Sequence, residues 1–231
     1  MTKKFKLTSE TILHFGKTLY RIKALIDFSF IKKGELGGFV EKEENLSQVY
    51  GDAWVSGDAR VYDNAQVYGD AQVYGDAWVF GDAQVYGDAQ VYGDARVYGN
   101  ARVYDNAQVY GDARVYGNAW VSGDAQVYGD AQVYGDAQVY GNAWVSGDAQ
   151  VYGDAQVYGD AQVEKTPVVI SGLKYNITIT DKHMAIGCEI KTFAEWRKTS
   201  QLEIQHKHSD GELWKIWKPI LTRIINLTKR N

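Results

Sequence analysis

The sequence repeats every six residues over much of its length, and this period constrains the fold more than any other feature. Alanine occupies position 53 and every sixth position up to 161, which gives 19 alanines in register without an insertion. In the unit Gly57-Asp58-Ala59-Arg60-Val61-Tyr62, apolar residues alternate with polar ones and follow a Gly-Asp pair. Alternation with period two is typical of a strand, and Gly with Asp is typical of a tight turn. Each unit is therefore predicted to be a short strand followed by a corner.

A chain that turns at every sixth residue can enclose one face of each short strand. Ala and Val share that face, whereas the residue between them and the following Tyr lie on the other. The pattern thus predicts a closed solenoid with Ala and Val inside, whose coils stack at the inter-strand spacing of about 4.7–4.9 Å. Both ends of such a stack must be covered, because repeat arrays need terminal caps.

The repeat resembles that of the hexapeptide-repeat proteins, in which an aliphatic residue is followed four positions later by a small one, as Val55 is by Ala59. The resemblance implies an all-β solenoid: a left-handed parallel β-helix with three six-residue units in each triangular coil. The segment Gly34-Glu35-Leu36-Gly37-Gly38-Phe39-Val40 is similar to the opening of uncharacterised phage and prophage hexapeptide-repeat proteins, and more loosely to the YdcK group of bacterial proteins. This similarity covers roughly residues 5–163 and implies a phage or prophage origin.

Three regions are predicted: a cap with the first coil over residues 1–49, a β-helical shaft over 50–163, and a C-terminal hairpin-plus-helix cap or oligomerisation module over 164–231. Residues 5–31 alternate as a β-hairpin does, and residues 176–186 do so again. Thr192 and Ser200 are each followed three residues later by Glu, which predicts two helix starts. Pro219 predicts a kink or a restart in the last helix.

Charge and cysteine content limit the class of protein. The region 50–163 holds 16 Asp and 4 Arg and no other charged residue, a net charge of −12 in a chain of net charge −4. Such a shaft is unsuited to general nucleic-acid binding, which needs positive charge. The single cysteine, Cys188, excludes an internal disulfide and favours a reducing cytoplasm, that of the host cell for a phage protein; we expect it to be buried. Neither a signal pattern nor a membrane-length apolar run is present, so no membrane association is expected.

Catalytic residues are sparse. In the hexapeptide acyltransferases that this chain resembles, a histidine on a coil or extended loop deprotonates the acceptor, yet the four histidines, His14, His183, His206 and His208, all lie outside the shaft. The related γ-class carbonic anhydrases need three coil histidines on zinc, which the shaft also lacks. We therefore predict no catalytic residue, no metal and no cofactor, with His183 the least unfavourable catalytic candidate. Acetyl-CoA would be a cofactor only if the chain is an acyltransferase.

One outward column departs from the usual Gln and is the candidate ligand-binding face. With 18 residues per coil, it combines Arg60, Trp78, Arg96 and Arg114, and Tyr98 and Tyr116 lie beside it. Arginine and tryptophan with flanking tyrosines suit stacking on a base or sugar and binding of a phosphate. The alternative interpretation is that the tyrosines only pack across strands and the arginines neutralise nearby aspartates such as Asp94 and Asp112.

A second column consists of aspartates alone. Neighbouring carboxylates about 4.8 Å apart repel one another, so each must be stabilised by backbone N–H groups, by arginine, or by a bound cation. The members of this column, 18 residues apart, are Asp58, Asp76, Asp94, Asp112, Asp130 and Asp148.

An apolar stripe near the C-terminus is too large to remain exposed. We expect it to be buried against the end of the shaft or between subunits, and the family resemblance implies a homotrimer. The stripe comprises Leu213, Trp214, Trp217, Leu221 and Ile224.

The favoured function is a non-enzymatic binding or scaffold protein. Its partner would be a host protein or a small anionic, nucleotide-like ligand, sequestered for counter-defence. The alternative is an acyl-CoA-dependent acyltransferase, which rests on the fold alone.

Overall fold

The computed structural model describes residues 3–49, 51–171, 173–209 and 211–228. Residue 50, the predicted start of the shaft, lies outside the described residues. Before the shaft, the chain forms β1 (Phe5–His14), β2 (Lys17–Ala24), β3 (Leu36–Val40) and a short 3₁₀ helix (Glu43–Asn45). The region after the shaft contains β23 (Val168–Ile170), β24 (Ile177–Ile179), β25 (His183–Ile186), β26 (Glu189–Thr192), α1 (Phe193–Lys198), α2 (Gln201–His208) and α3 (Gly211–Thr228).

The shaft consists of two-residue strands, one for each six-residue unit, as the period predicted. Strands β4 to β22 are, in order, Trp54–Val55, Arg60–Val61, Gln66–Val67, Gln72–Val73, Trp78–Val79, Gln84–Val85, Gln90–Val91, Arg96–Val97, Arg102–Val103, Gln108–Val109, Arg114–Val115, Trp120–Val121, Gln126–Val127, Gln132–Val133, Gln138–Val139, Trp144–Val145, Gln150–Val151, Gln156–Val157 and Gln162–Val163.

Each shaft strand pairs in parallel with the strand one coil further along. Val61 pairs with Val79, for example, and Val79 with Val97, so the register advances by three units. The strands separate into three sheets, ordered β1-β2-β3-β5-β8-β11-β14-β17-β20, β22-β19-β16-β13-β10-β7-β4 and β21-β18-β15-β12-β9-β6. Three sheets visited in rotation make a three-sided coil, which confirms the parallel β-solenoid and its three-unit turn.

The interior is the column of Ala and Val side chains that the alternation predicted. Every Ala and Val of the repeat between Ala53 and Val163 is at most 1 % exposed. Trp54 occupies an outward position and is nevertheless buried, because Phe5 and Phe28 pack edge-on against its ring at centroid distances of 6.4 and 5.5 Å. The N-terminal hairpin therefore covers the first coil.

The corners explain the glycine of each unit. Gly93 has a φ of 69°, and a Cβ added there would lie 3.0 Å from the backbone N of Gly111 in the next coil. Two corners use aspartate instead, Asp63 at φ 61° and Asp105 at φ 57°. The carboxylate of each accepts a hydrogen bond from the glycine N–H one coil further on, at 3.3 Å. Aspartate tolerates the left-handed region better than most residues, so both corners close without glycine.

The first coil docks through a glycine pair. β1 pairs antiparallel with β2 as the first hairpin predicted, β2 pairs with β3, and β3 joins β5 in parallel. A Cβ on Gly38 would lie 2.7 Å from the carbonyl oxygen of Ala59, so only glycine permits this approach. The Gly-Gly-Phe segment is thus where the hairpin passes into the solenoid.

The C-terminal sheet covers the other end. Strands β23 to β26 form an antiparallel sheet, which includes the predicted hairpin, and Val169 and Ile190 pack against the shaft interior. Side chains of this cap accept hydrogen bonds from backbone N–H groups at the end of the shaft: Thr178 Oγ1 from Gln156 at 3.2 Å and Thr166 Oγ1 from Gln150 at 3.1 Å. The cap therefore pairs donors that a further coil would otherwise have paired.

The C-terminal helices begin where the sequence predicted, but two other expectations for this region were not met. Thr192 and Glu195 form the predicted capping box of α1, and the Ser200 side chain caps α2. Helix α3 continues through Pro219 and does not restart there. Cys188 is exposed, so the expectation that it is buried was wrong, because the turn before β26 leaves it at the surface. None of the described helices combines the length and apolar character needed to cross a membrane.

Candidate functional site

The outward column predicted from the 18-residue spacing is present on one sheet. Arg60 pairs in register with Trp78, Trp78 with Arg96, and Arg96 with Arg114. Since successive coils superpose these positions, the four side chains project from the same side of the shaft. The column was found from the sequence by combining the six-residue period with the three-unit coil that the resemblance to hexapeptide-repeat proteins implied.

The indole of Trp78 is enclosed by two arginines of its own column. The guanidinium of Arg60 lies 5.4 Å from the ring centroid and that of Arg96 lies 4.5 Å from it. Arg60 precedes Trp78 by one coil and Arg96 follows it by one. Trp78 therefore makes cation–π contacts with both arginines, and its ring also lines the groove described below.

The tip of the N-terminal hairpin lies against this column, a contact that sequence reasoning missed. The ring of His14 meets Trp78 edge-on at a centroid distance of 4.6 Å and Tyr62 at 5.3 Å. Phe15 follows it and lies 5.8 Å from Trp78. No local pattern in β1 signals this docking, since it depends on how the hairpin crosses the shaft.

His14 is held neutral and inaccessible. Burial, and secondarily the charge of Arg60, lower the pKa of its imidazole below the usual value. Its Nδ1 lies 3.5 Å from an Nη of Arg60, while its Nε2 is buried without a hydrogen-bond partner in the described residues. An enclosed ring nitrogen cannot reach a substrate, so His14 acts as a packing residue.

The hairpin partly covers one predicted site residue, Arg60, and borders a groove beside the others. Arg60 lies under the hairpin with its Nε buried and unpaired. Next to it opens a groove of about 530 Å³, which we call the arginine groove. Its lining residues are Phe15, Lys17, Tyr62, Asp63, Trp78, Phe80, Arg96, Tyr98 and Arg114.

The two arginines that line this groove have no acidic partner. Among the described residues, no carboxylate oxygen lies within 4.0 Å of the side-chain nitrogens of Arg96 or Arg114. Neither Asp94 nor Asp112 therefore forms a direct ion pair with these arginines. Lys17 differs, since its Nζ lies 2.7 Å from a carboxylate oxygen of Asp63.

The flanking aromatic residues form a stacked ladder. Tyr98 stacks between Phe80 and Tyr116 at centroid distances of 4.8 and 4.9 Å. Some of the shaft tyrosines also donate their hydroxyl to the Gln sixteen residues later, and Tyr116 does so to Gln132 at 3.2 Å. The residue sixteen positions after Tyr98 is Arg114 and not Gln. The Tyr98 hydroxyl makes no hydrogen bond in the described structure. Tyr116 thus belongs to the regular ladder and lies outside the arginine groove.

The remaining catalytic candidates are not assembled into a site. Burial is the main cause that lowers the pKa of His183, and its Nδ1 is buried without a partner. His208 Nε2 lies 3.4 Å from a carboxylate oxygen of Glu189. No group of three or more potential metal ligands occurs among the described residues.

The predicted oligomerisation stripe is used within the subunit. Trp214 and Leu221 are 6 % and 3 % exposed and pack in a cluster with the C-terminal sheet, where Trp214 meets Trp196 at a centroid distance of 5.2 Å. Trp217 and Ile224 pack against the same cluster, and Leu213 is half-buried beside it. The apolar requirement is met by the chain's own cap.

The repeat itself matches a known family. The family model for the YdcK beta solenoid repeat matches residues 53–69, 65–81, 71–87, 89–105, 107–123, 131–147, 137–153 and 149–165. These stretches of the shaft are similar to the YdcK beta solenoid repeat. These matches include Trp78, Arg96 and Arg114, so the arginine groove lies partly on the YdcK-type repeats and partly on the preceding hairpin. No curated protein matches the chain.

Proposed function

We propose that this chain is a non-enzymatic binding protein that holds a small anionic ligand in the arginine groove. The observation that carries the proposal is the pair Arg96 and Arg114, adjacent in register and without an acidic partner in the described residues. Like charges about 4.8 Å apart at the backbone repel one another, by roughly 1 kcal/mol in water and more near a protein surface. A bound anion removes that repulsion.

The chemistry of arginine favours a phosphate or carboxylate as the anion. Guanidinium groups bind such oxyanions through paired N–H donors, with stronger hydrogen bonds than neutral groups make. The cation–π contact with Trp78 restrains Arg96, which lowers the entropy lost on binding. Because the rest of the shaft is acidic, the groove is a local site and not part of a general basic surface.

Binding is favoured over turnover by the groups that line the groove. Its side chains are arginine, lysine, aspartate and aromatic residues, and Lys17 and Asp63 are already paired with each other. Burial raises the pKa of the Tyr62 hydroxyl to about 12, so the hydroxyl stays protonated at neutral pH and is not available as a base. An acyl-CoA-dependent acyltransferase remains the alternative because solenoid folds host that activity.

The biological use is part of the same proposal. A phage or prophage protein in the host cytoplasm could sequester a nucleotide-like signal, or a host protein, and so oppose a defence. A homotrimer would place three arginine grooves on one particle and raise the capacity for ligand.

The direct test is calorimetric titration with inorganic pyrophosphate. We expect the Arg96→Gln/Arg114→Gln double variant to bind at least about 100-fold more weakly, since each charged hydrogen bond contributes about 1.5–3 kcal/mol. Gln is the usual residue at this position of the repeat, so unfolding free energy should change by no more than about 0.5 kcal/mol.

Arg102→Gln is the matched control. Arg102 occupies the same repeat position on another face and lies 5.3 Å from the ring centroid of Trp120. This variant should bind pyrophosphate as the wild type does. Equal binding by the double variant, or no binding by the wild type at millimolar concentration, would overturn the proposal. Acetyl-CoA turnover abolished by His183→Ala would establish the acyltransferase instead.

A further inference from the structure

Phe15, at the tip of the N-terminal hairpin, is unfavourable in two respects. Its φ of 47° lies in the left-handed region, and Gly16 after it has a φ of 78°. A two-residue hairpin turn with both φ values positive favours Asn followed by Gly. Phe15 is also 78 % exposed although it is a large apolar residue. Neither turn geometry nor burial accounts for phenylalanine at this position.

The position of Phe15 relative to the arginine groove suggests what its ring does. Its edge contacts with His14 and Trp78, at centroid distances of 4.5 and 5.8 Å, hold the ring in place. The ring of Phe15, which contacts Trp78, lines the groove together with Arg114, which lies two coils beyond Trp78 on the same sheet. Two inter-strand spacings amount to about 10 Å along the shaft, which leaves room for a sugar between a stacked ring and a bound phosphate.

We infer that Phe15 is a stacking residue and that the ligand belongs to the nucleotide class. The planar base would lie on the ring of Phe15, while its phosphates would bind Arg96 and Arg114. This inference rests on the proposed function, because it assigns the anionic part of the ligand to the same arginines. It adds the aromatic part, which pyrophosphate lacks. Because the ring of Trp78 is already in cation–π contact with Arg60 and Arg96, the base is assigned to Phe15 and not to Trp78.

Titrations with two probes, ADP and inorganic pyrophosphate, separate the two parts of the ligand. The wild type should bind ADP more tightly than pyrophosphate. Phe15→Ala should weaken ADP binding by about 5- to 150-fold, since stacking of a base on an aromatic side chain contributes about 1–3 kcal/mol. Pyrophosphate binding should be the same in Phe15→Ala and in the wild type, because the arginines remain.

Two further variants distinguish stacking from a structural role of the hairpin. Phe15→Asn installs the residue that this turn prefers, so its melting temperature should equal or exceed that of the wild type while ADP binding is weakened as in Phe15→Ala. Leu13 is 79 % exposed on the same hairpin but does not line the groove. Leu13→Ala should therefore bind ADP normally.

Several results would overturn the inference while leaving the arginine site intact. They are equal affinity of the wild type for ADP and pyrophosphate, undiminished ADP binding by Phe15→Asn, and an equal loss of ADP binding in Leu13→Ala and Phe15→Ala. Failure of the arginine site itself would appear differently, as unchanged pyrophosphate binding in the Arg96→Gln/Arg114→Gln variant.

Discussion

The guanidinium of Arg96 lies 4.5 Å from the ring centroid of Trp78, one coil before it on the same sheet. This contact fixes an otherwise flexible cation at the side of an acidic shaft. It also explains why the one tryptophan of the column is found between two arginines. The ring serves both of its neighbours and thereby orders one wall of the arginine groove.

Replacement of Trp78 should therefore weaken anion binding without removing a charge. Trp78→Gln should bind pyrophosphate about 2- to 30-fold more weakly, in line with a cation–π contribution of about 0.5–2 kcal/mol. Calorimetry measures the change. Trp120→Gln removes the equivalent ring on another face and should leave binding unaltered; a loss of affinity in that control would contradict the positioning role.

The tyrosine ladder permits a comparison within one column. Tyr116→Phe removes a hydroxyl that donates to Gln132 and should lower the free energy of unfolding by about 0.5–1.5 kcal/mol. Tyr98→Phe should have a smaller effect, because the residue at the acceptor position there is Arg114. Urea unfolding of both variants checks this, and equal losses would show that the hydroxyl bond is not what stabilises the ladder.

Stability should decline as the pH falls from 7 to 5. Burial is the main cause that lowers the pKa values of His14 and His183 below the ordinary 6.5, so the unfolded chain binds protons at a higher pH than the folded one. Above pH 6.5 the neutral forms of these two histidines favour the folded state. This contribution to stability is lost as the pH falls through their lowered pKa values. The depressed carboxylates, such as Glu195, act at lower pH.

His14→Leu should reduce this loss of stability at low pH, because a leucine side chain in the same contact cannot be protonated. Melting temperatures at pH 7 and pH 5 measure it. Leu13→Ala, an exposed change on the same hairpin that removes no titratable group, serves as the control and should leave the pH dependence as in the wild type. An unaltered pH dependence in His14→Leu would contradict the assignment.

The apolar stripe of α3 should stabilise the subunit and not the assembly. Leu221→Ala should lower the free energy of unfolding by about 2–5 kcal/mol, as expected for a buried leucine, without changing the mass measured by light scattering. Ile216 is 63 % exposed on the same helix, so Ile216→Ala should cost little stability. A change of mass in Leu221→Ala would restore the oligomerisation role.

The sequence by itself determined the shaft. Its six-residue period fixes which side chains are enclosed and where the corners lie, because both depend only on spacing within a regular repeat. Which outward residues share a column depends also on the three units per coil, which the resemblance to hexapeptide-repeat proteins implied and the sheet order confirms. The column of Arg60, Trp78, Arg96 and Arg114 was therefore predictable from the sequence together with that resemblance. So were the two hairpins and the capping box at Thr192, whose signals are local.

Only the tertiary structure decided how the ends contact the shaft. The approach of His14 and Phe15 to Trp78 joins residues more than 60 positions apart, and nothing in β1 specifies where its tip comes to rest. The same is true of Trp214, which packs in its own cap, and of Cys188, left exposed by a turn. Such contacts depend on how non-repeating surfaces pack, because the shapes and burial of many side chains must fit at the same time. The spacing of residues in the sequence does not specify that fit.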